Sequence, residues 1–279
     1  MSTPPSERGE SRARSGTLLT SLCDDLAAEQ TALDTVLAGL TEAQWLSPTP
    51  AEGWDVRDSV SHLTFFDGTA GLAVADPESF ATHAAGMLAG TAGTPDVDLG
   101  RSMPPAELYD RWGTGRRELD RALRSADPDV RVPWYGPAMS LPSFVTARLM
   151  ETWAHGQDVV DAVGGRPIVS DRLRHVCHIG IGARRYAYRV HGLDDPGTPI
   201  RVEALAPSGE RWSWGPEDAT DRVTGTALDL ALVLTQRRHR DDTDLIVVGT
   251  VAEQWMSIAQ SFAGPAGTGR APGLSRTPQ

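Results

Sequence analysis

The stretch LLTSLCDDLAAEQTALDTVLAGL, residues 18–40, places Leu18, Leu22, Leu26, Leu33, Val36, Leu37 and Leu40 at intervals of three and four. That period is helical, and it builds one apolar stripe that must be buried against other elements. The same period returns in five more segments up to about residue 190. Asp55 is an N-cap for a second helix through about Ala75, carrying Val56, Val60, Leu63, Thr64 and Phe66 on its length. Pro77 opens a shorter helix, and Pro105 stands at the N1 position of one running to about Ser125. The segment FVTARLMETWAHGQDVVDAVGG is the most regular helix, stopped by Gly164 and Gly165, and another follows from about Asp171. Between them, EAQWLSPTPAEG after Thr41 reads as a turn-rich connection, residues 90–100 as a Gly/Thr/Pro/Asp loop, and DPDVRVPWYGPAMSLPS as a long loop.

The pattern changes after GLDDPGTP, residues 192–199, which has the composition of a linker. IRVEALAP alternates with period two, as a strand does, and ERWSWGP is its expected hairpin partner. TALDLALVLTQRR is helical, DLIVVG is a short β-branched strand, and VAEQWMSIAQSFAG is a last helix. The expected fold is mainly α: an up-down four-helix bundle over 17–191, then a small α+β domain over 199–264. Polar, Pro/Gly-rich tails at 1–16 and 265–279 are expected to be disordered.

Composition narrows the functions. The 26 basic residues are all arginine against 37 acidic ones, giving 26 − 37 = −11. Such a chain lacks the positive field that nucleic-acid binding needs. Without lysine there is no Schiff-base or P-loop lysine. The two cysteines, Cys23 and Cys177, make no disulfide framework. No run approaches the roughly 20 apolar residues of a membrane span, and no signal-peptide core follows the N-terminal arginines. The expectation is a cytoplasmic protein that meets neither membrane nor nucleic acid.

Chemistry concentrates on the helix around 151–158. Glu151 and His155 are four apart and share a helical face, with Asp158 three beyond His155. Glu151 and His155 can ligate one divalent metal, and Asp158 can accept the other ring N–H of His155. His62, among apolar neighbours on the second helix, is the candidate third ligand. Three protein ligands with an open position is the pattern of a catalytic site. His175, Cys177 and His178 form a competing cluster, although Cys177 points away from the face of either histidine. His83, His191 and His239 read as surface residues. Gln236-Arg237-Arg238-His239-Arg240 is a basic run, read as a solvated face from which an arginine can still reach an anion. No Rossmann fingerprint, phosphate loop or nucleophile elbow is present.

WDVRDSVSHLTFFD (54–67) and ETWAHGQDVVDAVG (151–164) resemble the histidine helix and the Glu-xxx-His helix of the mycothiol-dependent maleylpyruvate isomerase family, whose fold is the DinB/YfiT-like metal-binding four-helix bundle. VTGTALDLALVLTQRRHRDDTDL and VAEQWMSIAQSFAGPAG resemble the small domain that follows that bundle. The resemblance spans roughly residues 17–266 and is closest to a subgroup described only as metal-binding proteins. It implies zinc, or another divalent metal, on His62, Glu151 and His155, with mycothiol as thiol cosubstrate and a small electrophilic substrate. Arg237 matches the arginine that the small domain brings to the family's site, and Asp158 would orient His155. The implied chemistry is a metal-held thiolate adding to an activated, maleylpyruvate-like double bond, an isomerase or S-transferase outcome. A hydrolase using metal-bound water and a non-catalytic metal-binding module are the alternatives. The loop VPWYGPAMSLPS (132–143) is longer than the family's, and its Trp134 and Tyr135 are candidates to wall the site. Trp54 and Trp153 are read as core. Oligomeric state is not readable.

Overall fold

The computed structural model describes residues 5–89 and 94–273. The chain divides into two compact units, residues 1–166 and 167–279.

Four long helices make the first unit: α1 (Pro5–Leu37), α3 (Val56–Ala75), α6 (Pro105–Ser125) and α7 (Leu141–Ala162). Around the bundle the order is α1, α7, α3, α6, each packed on the next. Side-chain pairs fix the helix directions. Asp24 and Asp34 of α1 bond Arg124 and Arg116 of α6, so those helices are antiparallel. Arg148 of α7 reaches Asp67 of α3, and Glu151 of α7 lies by His62, so α3 and α7 are antiparallel too. Val60, Leu63, Leu108 and Trp112 share one core cluster, while Gly71 faces the backbone of Leu119. Hence α3 and α6 run parallel. The bundle therefore runs up, down, down, up. The expected up-down alternation holds for consecutive pairs α1/α3 and α6/α7. Two short helices, α4 (Pro77–Leu88) and α5 (Pro95–Arg101), carry the chain back between α3 and α6.

The core follows the periodicity in its centre, while Leu18 at the start of the leucine stripe is 52% exposed and Val36 and Leu40 are half-buried. Leu33, Val60, Leu63, Leu108 and Trp112 are fully buried, and a buried leucine of this kind contributes about 1.5–3 kcal/mol. Across the bundle centre lies a polar contact. Arg148, 4% exposed, donates from Nη2 to Asp67 Oδ1 at 2.8 Å, and Asp67 is fully buried. Gln30 of α1 donates to the other carboxylate oxygen at 3.4 Å.

Three expectations change here. The helix α1 begins at Pro5, so most of the expected 1–16 tail is helical; residues 1–4 lie outside the described residues. Proline lacks the N–H that a first turn leaves unpaired anyway, and Arg12 is tied to Asp127 at 3.0 Å. The connection after Thr41 holds the short helix α2 (Glu42–Trp45), closed by a capping box between Thr41 and Gln44. The expected loop at 90–100 contains α5, while residues 90–93 lie outside the described residues.

The second unit begins earlier than the expected linker. Helices α8 (Leu173–Gly182) and α9 (Arg184–Val190) belong to it. Gly180 of α8 lets Leu234 of α10 (Ala227–Leu234) approach to where a Cβ would clash, so α8 packs inside this unit. The sheet order is β4 (Arg211–Trp214), β3 (Ile200–Leu205), β5 (Asp221–Thr226) and β6 (Ile246–Val248). β3 is antiparallel to β4 and parallel to β5, with Val202 level with both Trp214 and Val223. Asp221 Oδ1 accepts the N–H groups of Val251 and Ala252, both at 2.9 Å, and so caps α11 (Thr250–Ile258). Residues 265–273 carry no helix or strand, and the rest of the expected tail, 274–279, lies outside the described residues.

Removing one partner of a buried ion pair strands a charge, at a cost of about 3–5 kcal/mol. Arg148→Ala and Asp67→Ala are each expected to lower the unfolding free energy by that amount in urea titration, and Arg12→Ala, at an exposed pair, by under about 1 kcal/mol.

Candidate metal centre

The site is built where α3 crosses α7. Asp55 caps α3, its side chain accepting from Asp58 N–H at 2.9 Å while Asp58 returns the bond. The turn before it uses Gly53 at φ 77°, a conformation that suits glycine. This sets the start of α3 and hence the face that His62 occupies. On α7, the spacing 151, 155, 158 places Glu151, His155 and Asp158 on one stripe.

His62, Glu151 and His155 each offer one ligand atom, and these atoms lie within 4.8 Å of one another. Glu151 Oε2 is 3.8 Å from His62 Nε2 and 3.5 Å from His155 Nε2. Bonds of about 2.0–2.2 Å at a tetrahedral angle put ligand atoms roughly 3.3–3.6 Å apart. The donor set therefore fits a divalent ion with small adjustments.

Both imidazoles turn their other nitrogen to a carboxylate. His62 Nδ1 is 2.9 Å from Asp96 Oδ2, a formed hydrogen bond. His155 Nδ1 is 3.5 Å from Asp158 Oδ2, an ion-pair separation longer than a good hydrogen bond. A proton held at Nδ1 leaves Nε2 free to ligate. Burial works against an imidazolium at His62, but Asp96 and Glu151 outweigh it and hold its pKa above the ordinary value. Burial likewise opposes the Glu151 carboxylate, yet His155 and His62 hold it ionised far below the usual range.

Asp96 is the residue that sequence reasoning missed. It lies in the first turn of α5, which three contacts fasten to α3. Ser61 donates to the Asp96 carbonyl, Ser61 Oγ accepts from Gly100 N–H at 2.7 Å, and Arg101 clasps Asp58 at 2.7 and 2.9 Å. A Cβ on Gly100 would sit 2.6 Å from Ser61 Cβ, so the close approach needs glycine. Pro95 and Asp96 after Thr94 resemble a helix start, but no local pattern ties Asp96 to a histidine 34 residues upstream.

Trp54, expected in the core, is half-buried and stacks on His155, with ring centroids 5.7 Å apart and planes 16° apart. Trp153 is buried, as expected. Phe66 lies 4.5 Å from His62, and beyond it come Trp134 and Tyr135. His83 is half-buried rather than a surface residue, with Nε2 3.0 Å from the Tyr135 hydroxyl. The competing cluster does not converge. Cys177 is buried with Sγ directed at the Ala227 carbonyl, 3.5 Å away, whereas His178 is exposed. Among the described residues, the group of His62, Glu151 and His155 is the one set of three with metal-ligand spacing. Arg237 belongs to the second unit, where it donates to the Thr235 carbonyl at 2.8 Å and lies 5.9 Å over the Phe262 ring. No described helix is long and apolar enough to cross a membrane.

Fold and site thus define a four-helix bundle with a His, Glu, His donor set suited to one divalent metal. The model of the mycothiol maleylpyruvate isomerase N-terminal domain matches residues 26–160, and the chain belongs to that family. An uncharacterized protein of Mycobacterium tuberculosis, found in strains H37Rv and CDC 1551, is 44% identical over 249 residues, spanning 88% of this chain and 96% of the relative. A crystal structure of a mutant mycothiol-dependent maleylpyruvate isomerase superposes with a TM-score of 0.52 at 14% identity, covering 78% of this chain and 89% of the other. That likeness is one of fold.

Two outcomes are expected. Removing the carboxylate behind a ligand histidine costs about 10–100-fold in metal affinity, so Asp96→Ala should weaken zinc binding by that factor in competition titration with the protein still folded. Because His62 must release a proton to ligate, and its pKa stands above the usual 6.5, zinc affinity should begin to fall above pH 6.5 as the solution is acidified.

Proposed function

We propose that the chain is a metal-dependent enzyme that adds a low-molecular-weight thiol, mycothiol or a relative of it, to an activated double bond. The observation that supports this most is the convergence of His62 Nε2, His155 Nε2 and Glu151 Oε2 on one point of a family whose name carries that thiol. A divalent ion held by these three residues, zinc or another, would supply the Lewis acidity that brings a thiol to its nucleophilic thiolate form near neutral pH.

The chain's own residues then have defined tasks. Asp96 holds the proton on His62 Nδ1 and fixes the ring. Asp158 is proposed to do the same for His155, from 3.5 Å. Trp54 packs flat on His155 and restricts water on that side. Glu151 stays ionised and offsets positive charge in the site. On the resemblance alone, Arg237 is also proposed as a catalytic group. In the reaction, the thiolate sulfur forms a C–S bond to the alkene carbon, and the electron pair moves onto the conjugated carbonyl. Rotation about the carbon–carbon bond that was the alkene, now single, then re-formation of that double bond with expulsion of the thiolate gives cis–trans isomerisation. Protonation of carbon in place of expulsion gives a thiol conjugate.

The test is thiol consumption and alkene isomerisation followed with the full-length protein, before and after chelation. Turnover that needs both thiol and metal, returns on zinc addition and falls at least about 100-fold in Glu151→Ala is the expected result. Hydrolytic turnover without thiol would replace this reading with a hydrolase, and metal binding without turnover would replace it with a binding module.

A further inference from the structure

The helix face that carries His62 continues into an aromatic wall. Phe65 and Phe66 lie one turn along α3, and Phe66 is in contact with His62. Across from them stand Trp134 and Tyr135, in the loop between the two-residue strands β1 (Arg131–Val132) and β2 (Met139–Ser140). Phe66 meets Trp134 at 6.2 Å and the edge of Tyr135 at 5.7 Å. All four residues are half-buried, so the cluster is not sealed into the core.

This loop is fixed rather than free. Pro133 and Pro137 bracket it, and the strand pair Val132 with Met139 closes its base. Trp134 stacks on buried Phe80 with planes 2° apart, and its ring edge packs on buried Phe144 at 5.1 Å. The Tyr135 hydroxyl is anchored by His83. A loop needing only to cover the bundle has no use for half-open rings held this firmly beside a metal donor set.

Charge points the same way. The carboxylates nearest the donor set are Glu151, Asp96 and Asp158. The arginines of the flanking elements are engaged elsewhere: Arg57 by Asp55, Arg101 by Asp58, Arg148 by buried Asp67, and Arg131 by the Ala138 carbonyl of its own hairpin. A divalent ion, neutral imidazoles and these three carboxylates would carry a net charge of −1, which disfavours a dianion.

We propose that the Trp134–Tyr135 loop and Phe66 form the substrate-recognition wall of the site, and that they select a planar, uncharged, aryl-conjugated carbonyl compound rather than a small dicarboxylate. This deepens the thiol-addition reading by naming the acceptor. A flat ring can stack or pack edge-on against the part-exposed rings of Trp134 and Phe66, each contact strengthening binding modestly. With His83 Nε2–H donating to it, the Tyr135 hydroxyl can in turn donate to a carbonyl oxygen.

The experiment is isothermal titration of the zinc-loaded, full-length protein without thiol, using benzylideneacetone as the aryl enone and maleate as the dicarboxylate. Binding of the enone, at least about tenfold tighter than maleate, is expected. Trp134→Leu should weaken the enone by a similar factor while zinc content and melting temperature hold. Phe66→Leu, on the α3 side of the wall, serves the same purpose should Trp134→Leu fail to fold. Maleate binding as tightly as the enone, or enone binding unchanged in a folded wall variant, overturns the proposal. Thiol consumption is read separately. Trp134-dependent enone binding with no thiol chemistry sinks the thiol reading and keeps the wall, whereas thiol chemistry that prefers maleate does the reverse.

Discussion

The register of α3 against α7 rests on one buried ion pair, Arg148 to Asp67 at 2.8 Å. Neither side chain can slide along its helix without stranding a charge in the bundle core, so the two helices are locked in relative translation. Gln30 adds a third element to the lock through the second oxygen of Asp67. Glu151 lies three residues beyond Arg148, and His62 five before Asp67. On antiparallel helices those offsets carry both residues to the same level. The donor set is thus a geometric consequence of a contact one to two turns away. The buried pair serves position as well as stability, which accounts for a polar interaction where leucines would pack as well.

At the site itself, electrostatics favours cation capture. Three carboxylates surround two imidazoles, and two of those carboxylates stand behind the rings rather than beside the ion position. Asp96 is the stronger partner, with a formed hydrogen bond, while the stack of Trp54 supplements the longer Asp158 contact on His155. The aromatic rings keep the surroundings apolar, which strengthens every charge interaction within. The α5 segment is therefore part of the site's architecture, since Ser61, Gly100 and Arg101 fasten it to α3 and so hold Asp96 beside His62.

Much of this was legible in the sequence because it is local. The leucine period of α1, the Asp55 cap of α3 and the i, i+4 spacing of Glu151 and His155 are all encoded within a few residues. His62 is legible because an imidazole among apolar neighbours on a helix stands out. What was not legible is non-local. Asp96 reaches His62 across 34 residues, and α5 hid in a run of Gly, Thr, Pro and Asp that scores as loop. The parallel course of α3 and α6 depends on two short helices that carry the chain back, and periodicity says nothing of direction. Helices α8 and α9 are as regular as those of the bundle. Their place in the second unit is decided by Gly180 accommodating Leu234, a contact 54 residues apart.

The central claim is that His62, Glu151 and His155 hold one divalent ion. Elemental analysis of the untagged full-length protein beside folded His62→Ala and His155→Ala variants tests it directly. The account predicts close to one equivalent of metal in the wild type and its loss in both variants. Wild type that stays metal-free after reconstitution, or variants that keep the wild-type metal content, would contradict it.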